Sequence, residues 1–215
     1  MGAGTARHWR LVTGVGLMVA LLPGCEPSPP PVELAVTTTA DGADAAPGDG
    51  VCEVTAGAGD CTLRAAVDEA NALPGDAPVH IDLPEGTYRL AVVGSDDANA
   101  GGDLDVTAAR TVALRGAGRG AVVDAAGADR AIHVLGATLK VRRLGITGAI
   151  GAGITVASGR AELQASSVHG NHGAGLEVAA GATGTSADST FSSNLVGGVD
   201  NAGTYFGVAD RKSVV

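Results

Sequence analysis

The stretch Gly151-Ala152-Gly153-Ile154-Thr155-Val156 recurs as Gly173-Ala174-Gly175-Leu176-Glu177-Val178, and again, more loosely, as Val196-Gly197-Gly198-Val199-Asp200-Asn201. Gly153 and Gly175 are 22 residues apart, and Gly175 and Gly198 are 23 apart. A second phrase lies between the copies. Ser166-Ser167-Val168-His169-Gly170-Asn171 returns 23 residues later as Ser189-Thr190-Phe191-Ser192-Ser193-Asn194. A fixed period in the low twenties, with β-branched residues in short runs and Asn at turns, predicts a solenoid whose coils are short parallel strands.

The period extends toward the N-terminus. His80-Ile81-Asp82-Leu83, Leu104-Asp105-Val106, Thr111-Val112-Ala113-Leu114, Ala121-Val122-Val123-Asp124, Ala131-Ile132-His133-Val134 and Leu139-Lys140-Val141-Arg142 alternate apolar and polar. Alternation points one side chain of each pair inward. The expected inward set is Ile81, Leu83, Leu104, Val106, Val112, Leu114, Val122, Ile132, Val134, Leu139, Val141, Leu144, Ile146, Ile154, Val156, Leu163, Val168, Leu176, Val178 and Phe191. The composition agrees: 45% of the chain is hydrophobic but only 2% aromatic, so the core must be thin and aliphatic. The fold class is therefore all-β. Thr87-Tyr88-Arg89-Leu90 is read as the second strand of an early coil, and the β-helix is expected over 79–204.

Ahead of the array, Leu63, Ala66, Val67, Ala70 and Leu73 share one helical face. Thr62 is the expected N-cap and Pro74-Gly75 the stop. The first coil of a solenoid has an exposed apolar end, and this helix, within the segment 51–78, is the expected cap. Arg64 lies in the first turn, where the helix dipole disfavours a cation. It is either solvated or held by a particular carboxylate or carbonyl.

Residues 1–24 read as a lipoprotein-type signal peptide. Arg7, His8 and Arg10 form a basic region, and Leu11 to Leu22 form an apolar run too short to cross a bilayer comfortably. Leu21-Leu22-Pro23-Gly24-Cys25 resembles a bacterial lipobox, which makes Cys25 the lipidation site and the lipid the link to a membrane. The alternative is an ordinary secretory leader. The chain is then exported, to the outer membrane or cell surface when lipidated and otherwise secreted. Residues 25–50 are a linker rich in Pro, Asp and Gly, with a short strand expected within Val32 to Thr39. Cys52 and Cys61 remain as a disulfide pair in an oxidising compartment. Without the leader the charge is 12 basic against 23 acidic residues, or −11. Such a chain has no electrostatic footprint for nucleic acid.

Cys61-Thr62-Leu63-Arg64-Ala65-Ala66-Val67, followed by Glu69-Ala70-Asn71, resembles the motif of the CSLREA-domain proteins. The likeness continues through Ile81 to Tyr88, Gly102-Asp103-Leu104-Asp105-Val106, Leu114 to Gly118 and Asp129-Arg130, and ends at Gly197 to Asn201. It covers roughly residues 50–203. It implies a right-handed parallel β-helix of the pectin-lyase-like type on a bacterial surface. Ala65 stands where that family has Glu, so the capping box is incomplete. Residues 205–215 break the period, as in a natural short form, a truncated product or a frameshifted tail.

Chemistry is sparse. Asp97, Asn99, Asp103 and Asp105 carry oxygens in the acidic loop 96–105, as calcium requires. Ala108 stands where an EF-hand needs a bidentate Glu, however, and an acidic loop satisfying its own amides is the favoured reading. Glu162, Glu177, Asp188 and Asp200 show no ladder that would serve a polysaccharide lyase or hydrolase. His169 and His172 flank a turn and lack a third ligand. Asn171 and Asn194 are expected to stack. Gly116-Ala117-Gly118-Arg119-Gly120 precedes no helix, so it is no dinucleotide loop. The expected role is structural or adhesive, with a polysaccharide, matrix or protein ligand. The rival readings are a polysaccharide lyase or hydrolase on the same scaffold and a non-functional truncated fragment.

Overall fold

The computed structural model describes residues 28–118 and 120–208. The leader and Cys25 lie outside the described residues, as does the tail from residue 209. The chain winds into a β-solenoid of about four turns, and every strand pair is parallel.

The strands in chain order are β1 (Val32–Ala35), β2 (Val79–Leu83), β3 (Gly86–Arg89), β4 (Leu104–Val106), β5 (Thr111–Gly116), β6 (Ala121–Asp124), β7 (Ile132–Arg142), β8 (Gly145–Thr147) and β9 (Ile154–Gln164). They continue as β10 (Ser167–His169), β11 (Ala174–Val178), β12 (Thr183–Ala187), β13 (Thr190–Ser192), β14 (Gly197–Asn201) and β15 (Thr204–Val208). Helix α1 spans Leu63–Ala72.

Three faces result. The first stacks β4, the start of β7, the start of β9, β11 and β14. The second stacks β1, β2, β5, the end of β7, the end of β9, β12 and β15. The third stacks β3, β6, β8, β10 and β13. Strands β7 and β9 each serve two faces because they bend at Gly136 and Gly159, whose φ values of 94° and 83° suit residues without a Cβ. On the second face the chain returns to register after 22, 23 and 21 residues, at Leu139, Ala161, Gly184 and Tyr205.

The register sets the core. Leu104, Ile132, Ile154 and Leu176 form one inward ladder, and Tyr88, Val123, Ile146, Val168 and Phe191 form another. All are buried. A fully buried aliphatic side chain contributes about 1.5–3 kcal/mol, so the stacked ladders supply the main driving force. One expected member is corrected. Val123 faces in, and Val122 is half-buried outside against Gly145. Two adjacent valines carry no parity of their own, and alignment of Val123 with inward Tyr88 decides between them. Every other residue of the expected inward set is buried.

The turns repeat as well. The Asn171 side chain donates to Asn194 Oδ1 at 2.9 Å and accepts from the Ala149 amide, so stacked asparagines satisfy backbone groups coil by coil. Ser166 and Ser189 form a similar pair, through the Ser166 amide and Ser189 Oγ.

Helix α1 closes the N-terminal end. Leu63, Ala66, Val67 and Ala70 are buried against the first coils. Thr62 caps the helix by accepting from the Ala65 amide at 3.0 Å, so the box lacks its Glu but keeps its first hydrogen bond. Strand β1 pairs with β2, four residues shorter than the expected strand. The segment after it packs on the helix: Asp68 accepts from the Asp44 amide, and Glu69 from those of Gly48 and Gly50. Cys52 and Cys61 are disulfide-bonded. At the other end, the period persists through Val208. Thr204 to Val208 pair in register with Thr183 to Ala187, which corrects the expected break at residue 205. Tyr205 aligns with inward Gly184, whose missing side chain leaves room for the ring.

Candidate functional site

The loop from Ala91 to Asp103 folds over the outer side of the first face. Gly102 makes the crossing possible: its φ is +75°, and a Cβ there would stand 2.4 Å from the Gly94 carbonyl. Asn99 also adopts a left-handed φ, 64°, which Asn tolerates better than most residues.

Arg64 anchors this loop to the helix. Its side chain is fully buried. Nε and Nη2 grip Asp41 at 2.8 and 3.2 Å, Nη1 donates to the Asn99 and Asp103 carbonyls, and Nη2 donates to Gly102 O at 2.8 Å. All five guanidinium N–H groups are therefore engaged. Asp41 also accepts from the Ala91 and Val92 amides. Of the two readings of Arg64, the held one is correct.

The four oxygen candidates do not converge on one ion. Asn99 Oδ1 accepts the Asp105 amide at 3.1 Å, and its Nδ2 donates to Asp68 at 2.7 Å and to Arg64 O. Asp103 Oδ2 accepts from Arg130 Nε at 2.8 Å. Asp97 and Asp105 do come together, around a residue that motif reading missed. His133 Nδ1 lies 3.2 Å from Asp105 Oδ1 and 3.3 Å from Asp97 Oδ1. These three residues bring ligating atoms within 4.8 Å of one another among the described residues. Asp105 and His133 are paired across β4 and β7, so the sheet register holds them side by side. They are 28 residues apart, longer than the repeat, which hid the pairing. The outward position of His133 within Ile132-His133-Val134 was the one available signal.

Electrostatics here are unusual for carboxylates. Burial, reinforced by the neighbouring Asp103 charge, pushes Asp105 up to about 6, against the opposing pull of the Asn99 amide and His133. Burial also raises Asp103, although Arg130 opposes it.

The second face offers another surface. Lys140, Glu162 and Thr185 align across β7, β9 and β12, and Arg142, Gln164 and Ala187 align beside them. Glu162 bonds Arg160 at 2.8 Å and approaches Lys140 at 3.4 Å. These residues line a shallow groove of about 360 Å³ with Phe206 and Val208 at its rim. Three cations against one carboxylate make this groove basic on an acidic chain.

The expected absence of an acidic ladder needs one correction. Glu177 and Asp200 are register partners on the first face, 23 residues apart, and both are exposed. Thr155 Oγ1 donates to Glu177 at 3.2 Å. Glu162 lies on a different face, and Asp188 sits in a turn with φ +53°. His169 pairs with Ser192 across β10 and β13, while the His172 amide donates to Ala149 O.

No protein-family model, curated protein or solved structure matches this chain. No described helix is long and apolar enough to cross a membrane.

Proposed function

We propose that this chain is an exported, lipid-anchored surface module with a structural or adhesive role, built on the plan of the CSLREA-domain β-helix proteins. The Cys52–Cys61 disulfide beside the capping helix carries this reading, because such a bond persists where the environment is oxidising. The leader and Cys25 supply the route and the anchor. The stack of parallel coils supplies the scaffold, and the basic groove of Lys140, Arg142 and Arg160 supplies a surface for an acidic ligand such as a carboxylated polysaccharide.

Expression of the full chain in a bacterial host with an alkynyl palmitate label tests the anchor. Label in the membrane fraction, lost in Cys25→Ser, is expected, together with oxidised Cys52 and Cys61. A soluble, unlabelled intracellular protein with free thiols would overturn the reading. Ligand capture is tested on immobilised polyuronate: retention should weaken with salt and fall about tenfold in Arg142→Glu. The paired carboxylates Glu177 and Asp200 favour one rival, a carbohydrate-active enzyme. Release of reducing or unsaturated sugars that Glu177→Gln abolishes would establish it.

A further inference from the structure

We propose that Asp97, Asp105 and His133 bind a divalent transition-metal ion of the zinc type, with a fourth position open to solvent. The three ligating atoms come from separate segments: the loop over the first face, β4 and β7. Bonds of about 2.0–2.1 Å in a tetrahedron place ligand atoms about 3.3 Å apart. The observed separations from His133 Nδ1 are 3.2 and 3.3 Å.

An ordinary ion pair accounts for this geometry less well. Nδ1 has at most one hydrogen to donate, yet two carboxylate oxygens stand at nearly equal range. Asp105 Oδ1 can take the single Nδ1 hydrogen at 3.2 Å, which leaves Asp97 Oδ1 at 3.3 Å with none to accept from the ring. The two anchored ligands are also pre-oriented. The register fixes His133 beside Asp105, and the Asn99 amide holds Asp105 Oδ2 at 2.9 Å, turning Oδ1 toward His133.

A second observation points independently to a cation. Four carboxylates gather here, Asp97, Asp103, Asp105 and Asp129, and Arg130 bridges three of them, at 2.8 Å to Asp103, 3.1 Å to Asp129 and 4.0 Å to Asp97. Asp103 Oδ1 and Asp129 Oδ1 are buried without a hydrogen-bond partner. The Asp103 side chain is wholly buried beside this cluster, and its second oxygen has no hydrogen-bond partner, so the carboxylates here carry more negative charge than Arg130 offsets. Donor chemistry selects the ion. An imidazole with two carboxylates suits zinc and its first-row neighbours, whereas calcium takes six to eight oxygens. The Asp97 side chain is 71% exposed, so the site opens to water on its side.

The test uses the chelator-stripped full chain. Isothermal titration with Zn²⁺ and with Ca²⁺, and visible spectroscopy with Co²⁺, are run at pH 7.5. One Zn²⁺ per chain is expected, with calcium at least about 100-fold weaker and a Co²⁺ spectrum of low-coordinate type. His133→Gln should reduce zinc affinity about 100-fold. Because His133 is buried, exposed Asp97→Asn serves as the second variant: it should keep the melting temperature of the stripped parent and lose at least about tenfold in affinity. Absence of zinc binding by folded chain, preference for calcium, or undiminished binding in Asp97→Asn would each overturn the proposal.

Discussion

At the scale of the residue, Arg64 governs the N-terminal third of the molecule. One guanidinium joins Asp41, the helix and the loop over the first face, and no N–H is left over. A buried ion pair is not stabilising by virtue of its charges alone, because both must be desolvated. Here the geometry meets the demand, since Asp41 takes two backbone amides as well. Arg64→Met leaves the Asp41 charge buried and should cost about 3–5 kcal/mol in urea unfolding at pH 7. Arg64→Lys should fall between, because an ammonium cannot reproduce the planar fork. A loss below about 1 kcal/mol for Arg64→Met would show that the loop is held by its other contacts.

At the scale of the element, the cap and the coils differ in what stabilises them. The coils are repetitive: their aliphatic ladders recur from turn to turn, and two successive coils share an asparagine turn. The cap is unique. It relies on one helix of ten residues, a loop draped over it and a disulfide closing a separation of nine residues. A cross-link of that span stabilises by about 2.5–3 kcal/mol through the unfolded chain. The double variant Cys52→Ala/Cys61→Ala should lose about that amount in denaturant unfolding while keeping its β-sheet circular dichroism. A loss of sheet signal instead would mean that the cap is required for the coils to form. The coil period, the helix and its Thr62 cap were legible because each depends on neighbours in sequence. The partners of Arg64 were not, because they come from segments 23 to 39 residues away.

At the scale of the whole molecule, the buried carboxylates set the response to pH. Asp44, Asp68, Asp103 and Asp105 are all raised, chiefly by burial. In such groups the folded state binds the proton more tightly, so their contribution is present at low pH and is lost as pH rises, through about 6 for Asp105. Glu33 is lowered, first by its hydrogen bond to His80, and Asp60 and Asp96 are lowered, first by backbone hydrogen bonds. Their contribution is present above the ordinary carboxylate range and is lost as pH falls through their folded values. The opposing sets place maximum stability on the acid side of neutrality in metal-free protein. Denaturant midpoints measured from pH 3 to 8 check this. A midpoint that climbs steadily to pH 8 would contradict it.

The sequence alone determined the parallel coil stack, the helix that closes it and the disulfide, because a β-helix writes its spacing into the chain as a repeated phrase. Neighbouring coils bury like against like, so local alternation and a fixed period suffice. Tertiary structure decided the rest. It chose Val123 over Val122, carried the last coil to Val208, and set Glu177 beside Asp200. It also brought His133 to Asp97 and Asp105 across a coil whose length departs from the period. Those outcomes turn on register between strands and on loops that leave the repeat, and neither is written in any one segment of the chain.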